Sequence, residues 1–264
     1  MRTIVDVVPA PVLVLTVVGA VVAIVLVSVW AVRRWLPATR EGFDAEVSSQ
    51  MLGVVASLFG LLLAFVVVIE FQAFTAAGDN VGTEADGLAA IVRDSRVFDE
   101  PGGTMVRSAI GDYARIVVEE EWPLMRDGEE SPAAWRAIDG VFAAMQAYRP
   151  VTSAQIAFYD DSVRRLNTVL DARRDRLGAS DGNDLPALIA ALILVGAIVI
   201  LGYATLVGST SSAFHAIGAG AIAVVVGFSL VVLVTLQFPF SGGLAVDPTP
   251  FKEGGLAQFF PPPK

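Results

Sequence analysis

The sequence contains no cysteine and only one histidine among its 264 residues. The absence of cysteine excludes disulfide bonds, thiolate metal ligands and cysteine nucleophiles. His215 alone cannot supply a typical zinc site. Since no nucleophile, base and orienting group can be recognised together, we expect that the protein is not an enzyme. The sequence therefore predicts no catalytic residue, no cofactor and no metal site.

Charged side chains are also nearly absent from four long apolar stretches, which occur as two pairs. Each stretch is close to the ~20 residues that a helix needs to cross ~30 Å of hydrocarbon. Glu70 is the one Asp, Glu, Lys or Arg within them, and the whole chain is 55% apolar. We therefore predict a multi-pass protein of the cell membrane, surrounded by the lipid bilayer, with spans at Pro9–Ala31, Met51–Phe71, Leu185–Val207 and Phe214–Leu236.

Lysine is absent from the polar region between the two pairs of spans. This region, 75–184, has 20 Asp and Glu against 12 Arg, a net charge of −8. Such an acidic surface does not attract nucleic acid, and we expect no nucleic-acid partner. The predicted division of the chain is spans 1 and 2 in 1–74, an acidic insert in 75–184, spans 3 and 4 in 185–238 and a Gly- and Pro-rich tail in 239–264.

The number of spans predicts which segments share a side of the membrane. Four crossings place both termini and the insert on one side, and the link Arg33–Gln50 and the turn Gly208–Ser212 on the other. The link carries three arginines and the tails carry three basic residues, so the positive-inside rule does not assign the sides. Arg33 and Arg34 abut the first span, which favours an insert outside the cytoplasm.

The insert is predicted to be helical throughout. The fold class is therefore all-α, with four transmembrane helices and a helical extramembrane insert between spans 2 and 3. We expect the second span to continue into the insert, because no proline follows Phe71 before Pro101. Positions spaced by three and four residues form one face of that continuation: Glu70, Phe74, Ala77, Val81, Glu84 and Leu88.

Three further helices are predicted in the insert. One covers Thr104–Glu121 and ends at Trp122, because a residue before proline disfavours the helical conformation. The next begins with Ser131 as N-cap and ends before Pro150. The last covers Ser153–Leu177, with four arginines largely outward: Arg164, Arg165, Arg173 and Arg174. The tail after Phe240 has the composition of an extended or mobile segment.

Two charge clusters in the insert have alternative interpretations. The acidic run 119–121 resembles a metal site, but successive helix positions point about 100° apart and cannot converge on one ion. A solvated helix end is the expected explanation. The second cluster either attracts an anion near the membrane or pairs with neighbours such as Asp171 and Asp175 near a helix C-terminus; it consists of Arg173, Arg174 and Arg176.

An ionisable group at the end of a span is a candidate for function, and Glu70 occupies that position. It either belongs to an ion path or marks where the second span leaves the bilayer. Its aromatic neighbours could form a constriction that gates a pore by excluding water, or could face lipid and pack. The candidate pore or gate residues are Phe65, Phe59, Phe71 and Glu70.

Small residues follow one face of the second span, at Gly53, Ser57, Gly60 and Ala64, and one face of the fourth, at Ala219, Ala223 and Gly227. Such faces let transmembrane helices approach closely, within one subunit or between several. His215 starts the fourth span, and we expect it to form hydrogen bonds with the polar turn that precedes it.

Several of these residues resemble a known family, the bestrophin-like domain. The run Phe59–Gln72 looks like the second span of that family, and the resemblance covers about Gln50 to Phe251. Gln237 departs from the pattern, since the family often has an aspartate there. The signature residues of the resemblance are Glu84, Tyr113, Glu121, Trp122, Pro123, Arg173, Arg176, Pro239, Phe240 and Gly242.

The resemblance carries functional implications that the residues alone do not. The family consists of bacterial membrane proteins and is likened to bestrophins, which are pentameric anion channels with four spans and a cytosolic helical domain. It implies a homo-oligomer, possible pentamer formation, conduction of anions such as chloride, and a cytoplasmic insert with both termini on the same side. The alternative is a non-conducting interaction or sensing protein whose acidic insert docks a partner.

Overall fold

The computed structural model describes residues 10–35, 45–182, 186–206 and 212–260. Within these ranges the regular elements are all helices, so the predicted all-α fold class is confirmed. Four helices are long and apolar enough to cross a membrane, which makes the chain a multi-pass membrane protein. They are α1 (Ala10–Trp35), α2 (Ala45–Asp94), α7 (Ala187–Leu206) and α8 (Ser212–Leu236).

The remaining helices belong to the insert and the tail. The insert contains α3 (Gly102–Ile116), a π-helical turn (Val117–Glu121), α4 (Trp122–Asp127), α5 (Pro132–Ala147) and α6 (Ser153–Ser180). The tail contains α9 (Thr249–Lys252) and a 3-10 helix (Gly254–Phe259). The predicted span ends at Pro9, Leu185 and Val207, and most of the turn 208–212, lie outside the described residues.

The chain is divided into two compact units. The insert unit consists of 73–182 and 238–260 of the described residues, and the membrane unit consists of 10–72 and 186–237. Helix α2 is 50 residues long and contributes to both units. This confirms the prediction that the second span continues without a break.

The core of the insert unit follows the predicted apolar stripes. On α2, Ala77, Val81 and Leu88 are at most 1% exposed, as the three- and four-residue spacing requires. Helix α6 lies close to α2, because a Cβ added at Gly87 would lie 2.5 Å from Val169 Cγ2. A glycine is therefore needed at position 87 for the two helices to approach each other.

Two helix starts in the insert are set by capping residues. The Ser131 hydroxyl accepts a hydrogen bond from the Ala134 amide at 3.2 Å, which confirms its predicted role as N-cap. Thr152 caps α6 in the same way, and Gln155 completes a capping box. Each cap typically stabilises its helix by about 1 kcal/mol.

The helical path does not end at Trp122, so that prediction is wrong. The chain stays helical from Gly102 to Asp127, with a π-helical turn between α3 and α4. Pro123 lies in the first turn of α4, immediately after the π turn, and the chain passes through the proline without leaving the helical path.

The tail is not extended away from the fold, and the prediction of a mobile segment is corrected. Phe240, Phe251 and Leu256 are at most 2% exposed and belong to the apolar core of the insert unit. Ser241 Oγ donates a hydrogen bond to the Arg126 carbonyl at 2.8 Å. The tail is poor in apolar residues, but the few that it has fill sites provided by the insert helices.

The described residues of the membrane unit form two apolar clusters. In the first, Phe59, Leu63 and Val66 of α2 pack against residues of α7 and α8. In the second, α1 packs against the small face of α8 at Ala219 and Ala223. A Cβ at Gly227 would lie 3.4 Å from the Val18 backbone, so the small face of span 4 packs within one subunit.

Candidate functional site

The centre of the insert unit is a buried network of charged side chains. Glu84 comes from α2, Tyr113 from α3, Glu121 from the end of the π turn, and Arg173 and Arg176 from α6. All five residues are 0% exposed. Arg173 and Arg176 are three positions apart on a helix and therefore point to the same side. The network brings together five of the signature residues.

Arg173 binds Glu121 through a two-pronged contact. Its two terminal nitrogens donate to Glu121 Oε1 at 2.7 Å and to Oε2 at 2.5 Å. The first of these nitrogens also donates to the Tyr113 hydroxyl at 3.0 Å, and that hydroxyl donates in turn to Glu84. Such paired charge-assisted hydrogen bonds set both the distance and the plane of the guanidinium.

Arg176 connects the two carboxylates. Its Nε donates to Glu84 Oε2 at 2.7 Å, and one terminal nitrogen donates to Glu84 Oε1 at 3.1 Å and to Glu121 Oε1 at 2.9 Å. The other terminal nitrogen lies 2.8 Å from Met125 Sδ. Every nitrogen of this guanidinium therefore has a partner, which offsets the cost of burying it.

Aromatic rings surround the guanidinium groups. Arg173 lies 4.6 Å from the centroid of Trp135, and Arg176 lies 5.4 Å from that of Trp122. Phe251 of the tail covers Arg176 from a further side at 5.9 Å. Desolvated cation–π contacts of this kind contribute up to about 2 kcal/mol each. The signature Trp122 thus serves as a wall of the ion network.

Burial and the charge of Glu84 together determine the protonation of Tyr113 and Arg176. Burial raises the pKa of Tyr113 well above its usual range, and the negative charge of Glu84 raises it further. Burial acts to lower the pKa of Arg176, but the charge and hydrogen bonds of Glu84 outweigh it and hold this pKa above its ordinary value. Tyr113 therefore stays a neutral donor, and Arg176 stays a cation.

The network is electrically balanced and its acceptors are occupied. Two guanidinium cations face two carboxylates, and each carboxylate oxygen accepts at least one hydrogen bond. Such carboxylates have little capacity left to bind a metal or to remove a proton from a substrate. The arrangement is suited instead to holding α2, α6 and the α3–α4 segment in one geometry.

Two expectations about these charges are wrong. Glu121 is not part of a solvated helix end, because it is buried between the two arginines. Arg173 does not point outward, and neither Arg173 nor Arg176 pairs with Asp171 or Asp175 as expected. Of that cluster, Arg174 alone follows the prediction, with a surface contact to Asp171.

Three signature residues lie in the tail, at Pro239, Phe240 and Gly242. Phe240 is 2% exposed, and its ring meets Trp122 edge to face at 5.7 Å between centroids. Gly242 has a φ of 83°, a left-handed conformation that glycine adopts without strain. Pro239 accepts a hydrogen bond from the Val246 amide at 2.8 Å, which closes the turn around that glycine. Phe240 thus packs on the tryptophan that lies over Arg176.

Sequence reasoning missed three residues of this site, one of which, Trp135, lies over Arg173. Met125 contacts Arg176 through sulfur, and Phe251 covers it from the tail. Met125 lies on the stretch that was expected to leave the helix at Trp122, and Phe251 lies in the segment expected to be mobile. Met125 lies one helical turn after Glu121. A helix predicted to continue to position 127 would therefore have placed Met125 on the same side as Glu121.

In the membrane unit, α2 turns one stripe inward. Phe59, Leu63, Val66 and Glu70 recur at steps of four, three and four residues and are 8%, 7%, 6% and 4% exposed. Phe59 lies over Gly196 of α7, where an added Cβ would come within 2.6 Å of its ring. Phe59 therefore packs within the subunit, and the buried Glu70 lies on the same face of the helix.

The other candidate pore residues point away from the packed stripe. Phe65 is 63% exposed and Phe71 is 58% exposed. The small face formed by Gly53, Ser57, Gly60 and Ala64 is also exposed. A Cβ at Gly53 or Gly60 would meet no atom within 4 Å of the described residues. Within one subunit, α2 thus presents both the small face and Phe65 outward.

The single histidine joins three spans. His215 of α8 is 7% exposed, and its Nδ1 lies 2.9 Å from a terminal nitrogen of Arg33 on α1. Its Nε2 lies 2.9 Å from the Ala204 carbonyl of α7. Because a guanidinium can only donate, Nδ1 accepts and Nε2 carries the proton. The predicted partner, the turn 208–212, lies largely outside the described residues.

These features define an α-helical, multi-pass membrane protein with a helical insert held by buried ion pairs. The chain belongs to the bestrophin-like domain family, whose profile matches residues 19–251. The resemblance noted in the sequence is thereby confirmed.

Comparison with solved structures shows the same fold in another protein. A crystal structure of a membrane protein matches with a TM-score of 0.69 at 11% sequence identity, and the match covers 93% of this chain and 98% of that one. At this identity the likeness concerns the fold alone. No curated protein sequence matches the chain.

Proposed function

We propose that the protein assembles as a homo-oligomer, in the simplest case a pentamer, that conducts anions along the second span. Family membership supports this proposal, because the family is likened to the pentameric bestrophin anion channels. The observation that carries it is the division of α2 into a packed stripe and an outward side. The insert and both termini are assigned to the cytoplasm on the same ground of similarity.

The geometry of α2 suits such an assembly. Helix positions are about 100° apart, so the small face lies roughly 100° to 120° from the packed stripe around the helix. Gly60 and its neighbours would allow close contact with a second copy. Phe65 lies further round on the same outward side and would point toward the axis of a ring. Exposed phenylalanine rings at an axis exclude water and narrow the path.

The first test of the proposal is the oligomeric state. Native mass spectrometry of the purified full chain should show a single closed oligomer. Gly60→Leu should weaken it, because the added side chain separates the helices. Gly218→Leu is a matched control, since Gly218 is also an exposed glycine of a span with no atom within 4 Å of an added Cβ. A monomeric wild type would rule out the channel.

The second test is conductance in planar bilayers. Phe65→Ala should widen and wet the constriction and raise the anion current. Phe59→Ala serves as a comparison, because Phe59 packs against Gly196 and should affect stability rather than the width of the path. Glu70→Gln tests whether the buried carboxylate repels anions. Silent bilayers with folded, inserted protein would favour the alternative below.

The alternative function is a non-conducting interaction or sensing protein. It is favoured by the net charge of −8 in the insert, since a path for anions would gain from a positive entrance. In that case the acidic surface would dock a cationic partner. Binding that weakens steeply with salt, in the absence of any current, would support this function.

A further inference from the structure

Helix α2 buries one side in both of the units to which it contributes. Between positions 59 and 88, its buried residues are Phe59, Leu63, Val66, Glu70, Ala77, Val81, Glu84, Ala85 and Leu88. At about 100° per residue, all of these positions fall within a sector of about 100° around the helix axis. The inward side of α2 is therefore the same in the membrane unit and in the insert unit, and so is its outward side.

The outward side carries Phe65 in the membrane unit and two aspartates in the insert unit. Phe65 is 63% exposed, and Thr83 follows it by 18 positions, or five turns of about 3.6 residues. Asp79 and Asp86 lie within about 60° of the line that joins Phe65 and Thr83. Thr83 and both aspartates are exposed. A rise of about 14 Å along the helix separates Asp79 from Glu70, so the carboxylates follow directly after the span.

Neither aspartate is neutralised by a side chain among the described residues. Asp79 and Asp86 take part in none of the ion pairs and side-chain hydrogen bonds within that part of the chain. Glu84 of the same helix differs, because it lies on the inward side and accepts a hydrogen bond from Arg176 Nε at 2.7 Å. Helix α2 thus pairs the inward Glu84 with a cation and presents two further carboxylates on its outward side.

We propose that Asp79 and Asp86 set the ion preference of the path, by concentrating cations and repelling anions where α2 leaves the span. The inference rests on the proposed function, since a closed oligomer with Phe65 at its axis would arrange each of these carboxylates as a ring. Rings of carboxylates attract cations and lower the local concentration of anions. The two residues therefore weaken the preference for anions that family similarity implies.

Recordings of the full chain in planar bilayers with a potassium chloride gradient test the proposal. The double variant Asp79→Asn, Asp86→Asn should raise the permeability ratio of chloride to potassium by about tenfold, the lower end of what a charged cleft does to local ion concentration. The matched control is Asp160→Asn, Asp175→Asn, since both residues are exposed on α6 and the net charge changes equally. Its ratio should equal that of the wild type. Equal ratios in all three proteins, or equal shifts in the two variants, would overturn the proposal.

Charge can also be added to the folded protein, which removes any effect of a variant on folding. The chain contains no cysteine, so methanethiosulfonate reagents modify Asp79→Cys at that position alone. A cationic reagent should raise the chloride current and an anionic reagent should lower it, whereas Asp160→Cys should respond to neither. A current that responds to neither reagent in Asp79→Cys would overturn this proposal and leave the proposed function in place. Silent bilayers with folded, inserted protein, or a monomeric chain, would overturn both.

Discussion

The insert unit and the membrane unit are stabilised by opposite kinds of contact. In the insert unit, two carboxylates and two guanidiniums lie at the centre of the core with 0% exposure. In the membrane unit, the helix contacts are formed by apolar and small residues such as Phe59 on Gly196, and the described Arg33–His215 contact lies at the end of the spans. The insert unit thus buries charges at the centre of its core, and the membrane unit packs mainly apolar residues, with Glu70 at the end of its packed stripe.

The two units differ because their helices leave different surroundings when they pack, water in one case and lipid in the other. An insert helix gives up water when it packs, so a buried charge is tolerated only where a partner of opposite sign replaces that water. A span gives up lipid tails that are already apolar, so close packing of small residues provides the gain. We therefore expect single substitutions to have the largest effects in the ion network and smaller effects between the spans.

The largest effect is expected from Arg176→Met. The variant leaves Glu84 without its cation in a buried site, which should lower the free energy of unfolding of the insert by about 3–5 kcal/mol. The free energy of unfolding is measured by denaturing the full chain in detergent, with tryptophan fluorescence as the signal. In a Trp30→Phe, Trp35→Phe background, the remaining Trp122 and Trp135 both report on the insert.

The control for this variant is Arg174→Met. Arg174 lies on the same helix, but its side chain is 59% exposed and pairs with Asp171 at the surface. Exposed pairs contribute at most about 1 kcal/mol. Similar losses for the two variants would show that the buried network has no special role.

Phe251→Ala should have the next largest effect, because it removes a fully buried ring of the tail that covers Arg176. Loss of a buried phenylalanine costs about 3–5 kcal/mol, and the end position of the tail favours the lower value. Phe158→Ala is the control, since Phe158 is 40% exposed in the same unit. An unchanged unfolding midpoint for Phe251→Ala would contradict the packing of the tail.

Gly196→Ala examines the membrane unit and should have a smaller effect. The added Cβ would lie 2.6 Å from the Phe59 ring, and such overpacking costs about 1–3 kcal/mol. Loss of helical circular dichroism on titration with sodium dodecyl sulfate gives the measurement, with Gly218→Ala as control. Adding Phe59→Leu should restore part of the loss. Additive losses in the double variant would place Phe59 elsewhere.

Tyr113→Phe should have the smallest effect, about 1 kcal/mol at neutral pH, from the loss of hydrogen bonds. The substitution also changes how the free energy of unfolding depends on pH in the alkaline range. The folded-state pKa of Tyr113 is raised, so its contribution is complete below pH ~10 and is lost as pH rises through the folded-state pKa. The free energy of unfolding should therefore decline less between pH 8 and 11 in Tyr113→Phe than in Tyr159→Phe. Parallel declines would refute this assignment.

Several features were predictable because they depend on neighbouring residues. The inward stripe of α2 at Ala77, Val81 and Leu88 follows from helical periodicity. The start of α5 follows from Ser131 before Pro132. The long α2 helix follows from the absence of proline between positions 71 and 101. Each of these can be derived within a few turns of the chain.

Glu121 was not predictable in the same way. A π turn has one more residue in each hydrogen-bonded turn than an α-helix, so it shifts the residues that follow around the helix axis. Glu121 is still the fourth residue after the buried Val117 and points inward, but this spacing does not show what neutralises its charge. Its partners Arg173 and Arg176 lie 52 and 55 positions further along the chain. No local pattern contains that pairing.

The sequence by itself determined the membrane location, the four spans and the all-α class, because length and hydropathy act locally on each helix. The tertiary structure alone decided which charges are buried, which face of α2 holds Glu70, and that the tail packs against the insert. Those outcomes depend on partners that lie far apart in the chain. A charge enters a core only where the fold brings a counter-charge to replace the water that it loses.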